Sequence, residues 1–436
     1  MRSDLRRVLI VSPRFPPKNA PDHHRVRVSL PFYRRFGWDP TVLCISPETS
    51  DSLDDPALGD SVPRDARVVR VPAWSEQKCR RFGFGHLDYR CLVPLYDAAT
   101  ELLKREAYDV VFFSTTSFLT FLLGPILKRR FGCRVVYDFQ DPWFHGETST
   151  YTRDTWQGKW WKLRIGQMVA RHGEAFSMKA ADHVISVSDG YVSILRARYA
   201  WMRDSDFTVL PFGATQADFD FVTSKNIHHN IFPTNPDRVR WVYAGRVGPD
   251  MFSILEVMFH RLAALKTERP DFARRLEIYF VGTNYSPAER TFDVVVPLAA
   301  KYGLEEMVGE HSERIPYFET LSLYCESDGI LLIGADSGDY TASKLFNCVL
   351  ARRPVLALFH SASLVSRMAP AFSNVFLCSF HVTPTEPEFG VKFSQGLKWL
   401  EEEKIDSSEI SRRLAPWSAE ELTREQCAIF DRLTAS

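Results

Sequence analysis

The stretch Ile330 to Phe359, ILLIGADSGDYTASKLFNCVLARRPVLALF, holds Asp339, Ser343, Lys344 and Asn347 close together. An apolar run enters a polar loop with two glycines, a short helix opens at Thr341 to Lys344, and the helix stops before Pro354, where a second apolar run begins. The pattern is strand, loop, helix, strand. Such a unit places the unpaired N–H groups of a helix N-terminus at the C-terminal edge of a parallel sheet, and the chemistry expected there is anion binding. Two other polar clusters follow apolar runs. WVYAGRVG carries Arg246 after a strand, and CRVVYDFQDPWF places Asp138, Gln140 and Asp141 at a strand's end, which is the ligand edge of an open α/β sheet. His228 and His229 have no Cys or carboxylate beside them at ligand spacing, so a metal site is not expected.

The elements that must carry these residues alternate along the chain. RVLIVS reads as a buried strand, the loop PRFPPKNAPDHHR follows, VRVSLPFYRRFGW has helical spacing despite Pro31, and TVLCIS is a second strand. The loop has prolines where a dinucleotide-binding unit would carry GxGxxG, so a Rossmann dehydrogenase is disfavoured. YDVVFFS, CRVVYDF and the run from His183 continue the strands, with helical segments between them. After NIHHNIFPTNPDR, read as a linker, RWVYAGRVG, LEIYFVGTN and DGILLIG repeat the alternation with helices between. This predicts two doubly wound parallel sheets. Two segments interleave basic and aromatic residues: KCRRFGFGHLDYR reads either as a solvated loop or as a surface for lipid headgroups or nucleic acid, and TWQGKWWKLRIGQ either as a core-packed helix or as a surface for anionic lipid.

With 436 residues the chain is too long for one ordinary core. The 54 basic and 54 acidic residues cancel, yet residues 1–205 hold 31 Lys and Arg against 23 Asp and Glu, and the remainder reverses this. Opposite signs suggest different partners for the two halves, one of them anionic. No apolar run approaches the roughly 20 residues of a membrane span. The N-terminus reads as a first strand and not a signal peptide, and the eight scattered cysteines read as reduced thiols of a cytoplasmic protein.

Together these pieces resemble the retaining, family-4-like glycosyltransferases of the GT-B fold (glycosyl transferases group 1 type), over nearly the whole chain. SKLFNCVLARRPVLAL is similar to the family's SKLFEYLAAGRPVLA form, with Asn347 at the place of the family's second glutamate and Asp339 eight positions earlier. The resemblance implies two Rossmann-like domains facing across a cleft: an acceptor-side domain at 1–220, a nucleotide-sugar domain at 221–415, and a C-terminal helix, 416–436, that crosses back. It implies Arg246, Lys344 and Asp339 as catalytic residues. Gly245, Gly282, Ile315, Tyr340, Thr341, Ala342, Ser343 and Asn347 would contact the donor. VVYDFQDPW resembles the acceptor-side strand end, so Asp138, Gln140 and Asp141 would lie toward the acceptor.

The implied activity is transfer of a sugar from a nucleotide diphosphate sugar to a hydroxyl acceptor, with retention, and with no metal or cofactor. The acceptor would be a saccharide or a lipid-linked or cell-surface polysaccharide precursor, and the basic N-terminal half is compatible with peripheral contact at the inner face of a cytoplasmic membrane. Nucleic acid is not an expected partner. Asn347 keeps one acceptor oxygen but lacks the charge of a glutamate, and the lysine the family carries after Arg246 is missing. A non-catalytic nucleotide-sugar-binding or scaffold protein on a diverged GT-B fold is therefore the alternative. An epimerase of the same shape fits less well, because its acid/base carboxylates and histidine are not identifiable.

Overall fold

Runs of β-branched and aromatic residues buried on both faces alternate with helices, and this pattern resolves into two separate parallel sheets. The computed structural model describes residues 5–144, 160–233, 235–284, 292–336, 338, 344–384, 387–402 and 407–435. The chain divides into one unit of residues 1–213 and 419–436 and a second of residues 214–418.

In the first unit the strands are β1 (Arg6–Val11), β2 (Trp38–Ile45), β3 (Arg67–Val71), β4 (Val110–Ser114), β5 (Arg134–Phe139), β6 (His183–Ser186) and β7 (Phe207–Val209). All seven are parallel, in the order β3-β2-β1-β4-β5-β6-β7. The order reverses between β1 and β4, so the loops leaving these two strands flank the crevice where α/β sheets hold ligands. Helix α1 (His24–Ser29) follows β1 and stops short of Pro31. The segment expected to be one helix is therefore two pieces, α1 and a 3-10 turn at Tyr33–Phe36, because proline lacks the N–H that a helix interior needs. Helix α2 (Trp160–Met178) leads into β6.

In the second unit the chain begins with α3 (Gln216–Ser224), whose first turn is capped by the Thr215 hydroxyl. Its strands are β8 (Val239–Ala244), β9 (Leu276–Val281), β10 (Val308–His311), β11 (Gly329–Ile333), β12 (Val355–His360) and β13 (Val375–Phe380). They are parallel in the order β10-β9-β8-β11-β12-β13, with the reversal between β8 and β11. Helices α4 (Phe252–Glu268), α5 (Tyr317–Glu326) and α6 (Leu345–Leu350) cover this sheet. The run Asn226 to Arg238, read from sequence as a linker, lies inside this unit. It is held there because α3 packs on α5, with the rings of Phe221 and Phe318 4.5 Å apart, and because His229 is buried beside Glu326.

The last helix, α7 (Ala419–Ala435), belongs to the first unit. Phe430 stands edge-on to Trp38 and Phe112, Gln426 donates to the Tyr33 hydroxyl, and Trp38 donates to Asp431. Gly213 marks the crossing: a Cβ there would come within 3.1 Å of the Ala419 backbone.

Candidate active site

In the second unit the loops leaving β8, β9, β10 and β11 bring most of the residues expected at a donor site to one sheet edge. Gly245 and Arg246 directly follow β8. Lys344 stands at the N-cap of α6 and sends its Nζ back to donate to the carbonyl of Ala244, the last residue of β8. The two meet because position 245 has no side chain: a Cβ on Gly245 would lie 2.8 Å from Lys344 Nζ and 2.8 Å from the Tyr243 hydroxyl. Burial, then the like charge of Arg314, push the Lys344 ammonium down to about 8 from 10.5, a smaller opposing pull coming from Cys348. A partly desolvated cation so placed gains most from an arriving anion.

The guanidinium of Arg246 forms a two-pronged ion pair with Asp250, Nη1 to Oδ1 at 2.8 Å and Nη2 to Oδ2 at 2.6 Å. Desolvation works to raise the Asp250 carboxyl, but the hydrogen bonds and charge of Arg246 outweigh it and hold the group below its usual range. Gly248 leaves room for this pair, since a Cβ there would sit 2.6 Å from both partners. Asp250 thus sets the direction of the Arg246 fork, a role that the sequence reading missed although the spacing of four residues was visible.

Gly282 directly follows β9 with a φ of 69°, in the left-handed region that suits glycine. Its N–H donates to His311 at the end of β10, so the two strand ends stay side by side. Ile315 follows β10, half-buried, just ahead of α5. Asn347, on α6, donates to the Tyr317 hydroxyl at 3.3 Å, and Tyr317 in turn donates to buried Asp218 at 2.8 Å. Its side chain is therefore tied into a chain that starts on α3. Asp339, Tyr340, Thr341, Ala342 and Ser343 lie outside the described residues. The helix that sequence placed at Thr341 to Lys344 is described from Leu345 onward.

In the first unit, Asp138 and Gln140 are at the end of β5, but they turn inward. Asp138 Oδ2 accepts from Arg25 Nε at 2.7 Å, from the Ser114 hydroxyl at 2.8 Å and from Gln140 Nε2 at 3.0 Å. Gln140 also donates to the carbonyl of Asp22. Asp141 alone of the three is exposed. Beside them, Asp22 accepts from the Thr115 hydroxyl at 2.9 Å and faces Arg14, which also pairs with Asp51 and lies near Asp88. Burial raises the Asp22 carboxyl, with Arg14 and Thr115 opposing it less strongly. Arg14, Asp22 and Arg25 come from the loop after β1 and from α1, a stretch that the sequence showed simply as a loop. Arg25 and Asp138 are 113 residues apart, so no local pattern links them.

Among the described residues no group of three or more His, Cys, Asp or Glu side chains could hold a metal ion, and no helix is long and apolar enough to cross a membrane.

Residues 30–213 match the family model of a glycosyl transferase 4-like domain. No curated protein matches the sequence. Among solved structures, the chain is similar to Anabaena HepE in complex with UDP-glucose, at 13% identity and a TM-score of 0.59, over 99% of this chain and 100% of that one. It is also similar to WaaG, a glycosyltransferase involved in lipopolysaccharide biosynthesis, at 16% identity and TM-score 0.54, over 97% and 99%. An α,α-trehalose-phosphate synthase (UDP-forming) from Burkholderia vietnamiensis superposes at TM-score 0.61 with 11% identity, over 99% and 100%.

Proposed function

Taking the chain as a GT-B protein of the glycosyltransferase 4-like kind, we propose that it transfers a sugar from a nucleotide diphosphate sugar to a hydroxyl acceptor with retention of configuration. The observation that carries this reading is the meeting of Lys344 with the end of β8 beside Arg246. Departure of a nucleoside diphosphate builds negative charge on phosphate oxygens, and cations fixed in advance at that place lower the barrier. Lys344 and Arg246 supply that charge from the protein, and no metal is needed in this reading. Asp339 would accept from a sugar hydroxyl, and Tyr340, Thr341, Ala342 and Ser343 would offer backbone and hydroxyl donors to the phosphates. Gly245 and Gly282 let the donor approach the backbone, Ile315 contacts the base through its main chain, and Asn347 meets the ribose.

On the acceptor side, Asp141 is the residue exposed to a ligand, while Asp138 and Gln140 position the strand end from beneath. The acceptor proposed is a saccharide or lipid-linked polysaccharide precursor, and the protein acts in the cytoplasm. A second reading, a nucleotide-sugar binder without turnover, is favoured by one observation: the Asn347 amide is already engaged with Tyr317. A thermal-shift panel of UDP, GDP and ADP sugars, followed by product analysis across acceptors, tests both. The transfer reading expects stabilisation by one donor class together with a glycosylated product. Stabilisation with no product from any acceptor selects the binder, and no stabilisation by any donor contradicts both.

A further inference from the structure

Asn347 takes the place of the family's second glutamate, and the exchange changes what holds a ligand there. A carboxylate presents an acceptor at both of its ends, so either end serves a ligand hydroxyl. A carboxamide presents an acceptor at one end and a donor at the other, and its surroundings decide which end the ligand meets.

In the second unit those surroundings are a directed chain of hydrogen bonds. Asp218 lies in the first turn of α3, only 5% exposed, and its carboxylate can only accept. Tyr317, the first residue of α5, gives its one hydroxyl hydrogen to Asp218 Oδ2 at 2.8 Å. The phenolic oxygen then has lone pairs but no hydrogen left for Asn347, whose Nδ2 donates to it at 3.3 Å. Each bond sets the polarity of the next. The amide is left with Nδ2 toward Tyr317 and Oδ1 turned away, and among the described residues none donates to Oδ1.

Both ends of this chain are anchored. Thr215 caps the start of α3, and Phe221 packs on Phe318, the neighbour of Tyr317, with ring centroids 4.5 Å apart. Asp218 and Tyr317 are thus carried by two helices that already lock together. At the other end, Asn347 comes three residues after Lys344, a spacing that puts both side chains on one side of α6. The acceptor oxygen is therefore held on the side of the helix that carries the donor-site lysine.

We propose that Asp218 and Tyr317 are positioning residues: they lock the Asn347 amide so that Oδ1 accepts from a ribose hydroxyl of the donor, and a neutral side chain thereby reads the sugar as a carboxylate would. This rests on the nucleotide-sugar reading and adds to it the two residues that decide how the ribose is recognised. They act through Asn347 and not by touching the nucleotide. Asp218→Asn supplies a donor at the head of the chain, so Tyr317 can accept there and donate to Asn347, which turns the amide over. Tyr317→Phe removes the link and releases the amide.

Titration calorimetry of the full chain with UDP, GDP and ADP, each beside its 2′-deoxy-2′-fluoro and 3′-deoxy-3′-fluoro analogues, tests the proposal. Fluorine replaces the hydroxyl with a group that has no hydrogen to donate. The wild type should bind at least one fluoro analogue about tenfold more weakly than its parent, the cost of leaving one acceptor unmet. In Asp218→Asn, in Tyr317→Phe and in Asn347→Ala that ratio should fall toward one, and adding Asp218→Asn to Asn347→Ala should change it no further. A role confined to packing α3 on α5 would weaken parent and analogue alike and leave the ratio where it was. An unchanged ratio in either Asp218→Asn or Tyr317→Phe overturns the proposal, as does a wild type that binds every fluoro analogue as tightly as its parent; in both cases the nucleotide reading survives. Binding of none of the three parent nucleotides to the wild type contradicts that reading, and this inference with it.

Discussion

Lys344 and Arg246 are both cations at the end of β8, yet they are held in opposite ways. Arg246 is oriented by its two-pronged pair with Asp250, whereas burial and the charge of Arg314 leave the Lys344 pKa near 8. The unfolded chain keeps this proton to about pH 10.4. Between these values the unfolded state binds more protons, so the free protein gains stability as pH rises through the window, and Lys344→Met removes the gain. A bound diphosphate favours the charged lysine, so donor affinity should fall as pH rises above 8, approaching tenfold per pH unit, and stay flat in Lys344→Met. Titration calorimetry of nucleoside diphosphate between pH 7 and 9.5 measures this. Arg246→Ala should lower turnover by about a hundredfold or more, as the loss of one charge-stabilising contact does elsewhere; initial rates with saturating donor would register it.

At the scale of elements, the site depends on glycines and buried pairs that fix how loops meet. Gly245→Ala would drive a methyl into Lys344 Nζ and the Tyr243 hydroxyl, so the lysine must leave Ala244. Donor affinity should then drop toward that of Lys344→Met while the unfolding transition moves little, which calorimetry and denaturant titration can separate. Arg25→Met strands the Asp138 carboxylate in the interior, and breaking such a pair costs about 3 to 5 kcal/mol in an equilibrium unfolding measurement. The strands, the loop glycines and the strand-end positions of Arg246 and Asp138 were legible in sequence because each is a local pattern. What was not legible is long-range. Asp138 and Gln140 read as ligand groups at a strand end, but Arg25 and Ser114 draw them inward. Asn347 gave no hint that a tyrosine on α5 would take its amide. The break of the first helix at Pro31 was visible in the sequence, and the helical spacing around it masked its effect.

For the whole molecule, the organising fact is that the chain makes two Rossmann-like units and then returns to finish the first. Phe430, fully buried between Trp38 and Phe112, is what the return contributes to that core. Phe430→Ala should therefore cost about 3 to 5 kcal/mol in the unfolding of the first unit, with nucleotide affinity of the second unit retained. Repeated strand and helix patterns made the two sheets readable, whereas the end of the first unit at Gly213 depends on contacts with residues over 200 positions later. The central claim is that the second unit holds a nucleotide diphosphate sugar through Lys344 and Arg246. Titration calorimetry of UDP, GDP and ADP sugars against the wild type and against Arg246→Ala/Lys344→Met tests it most directly. One donor class should bind the wild type, and the double variant, still folded, should lose at least about a hundredfold in affinity. Equal affinity in the double variant, or no binding of any donor to the wild type, would contradict it.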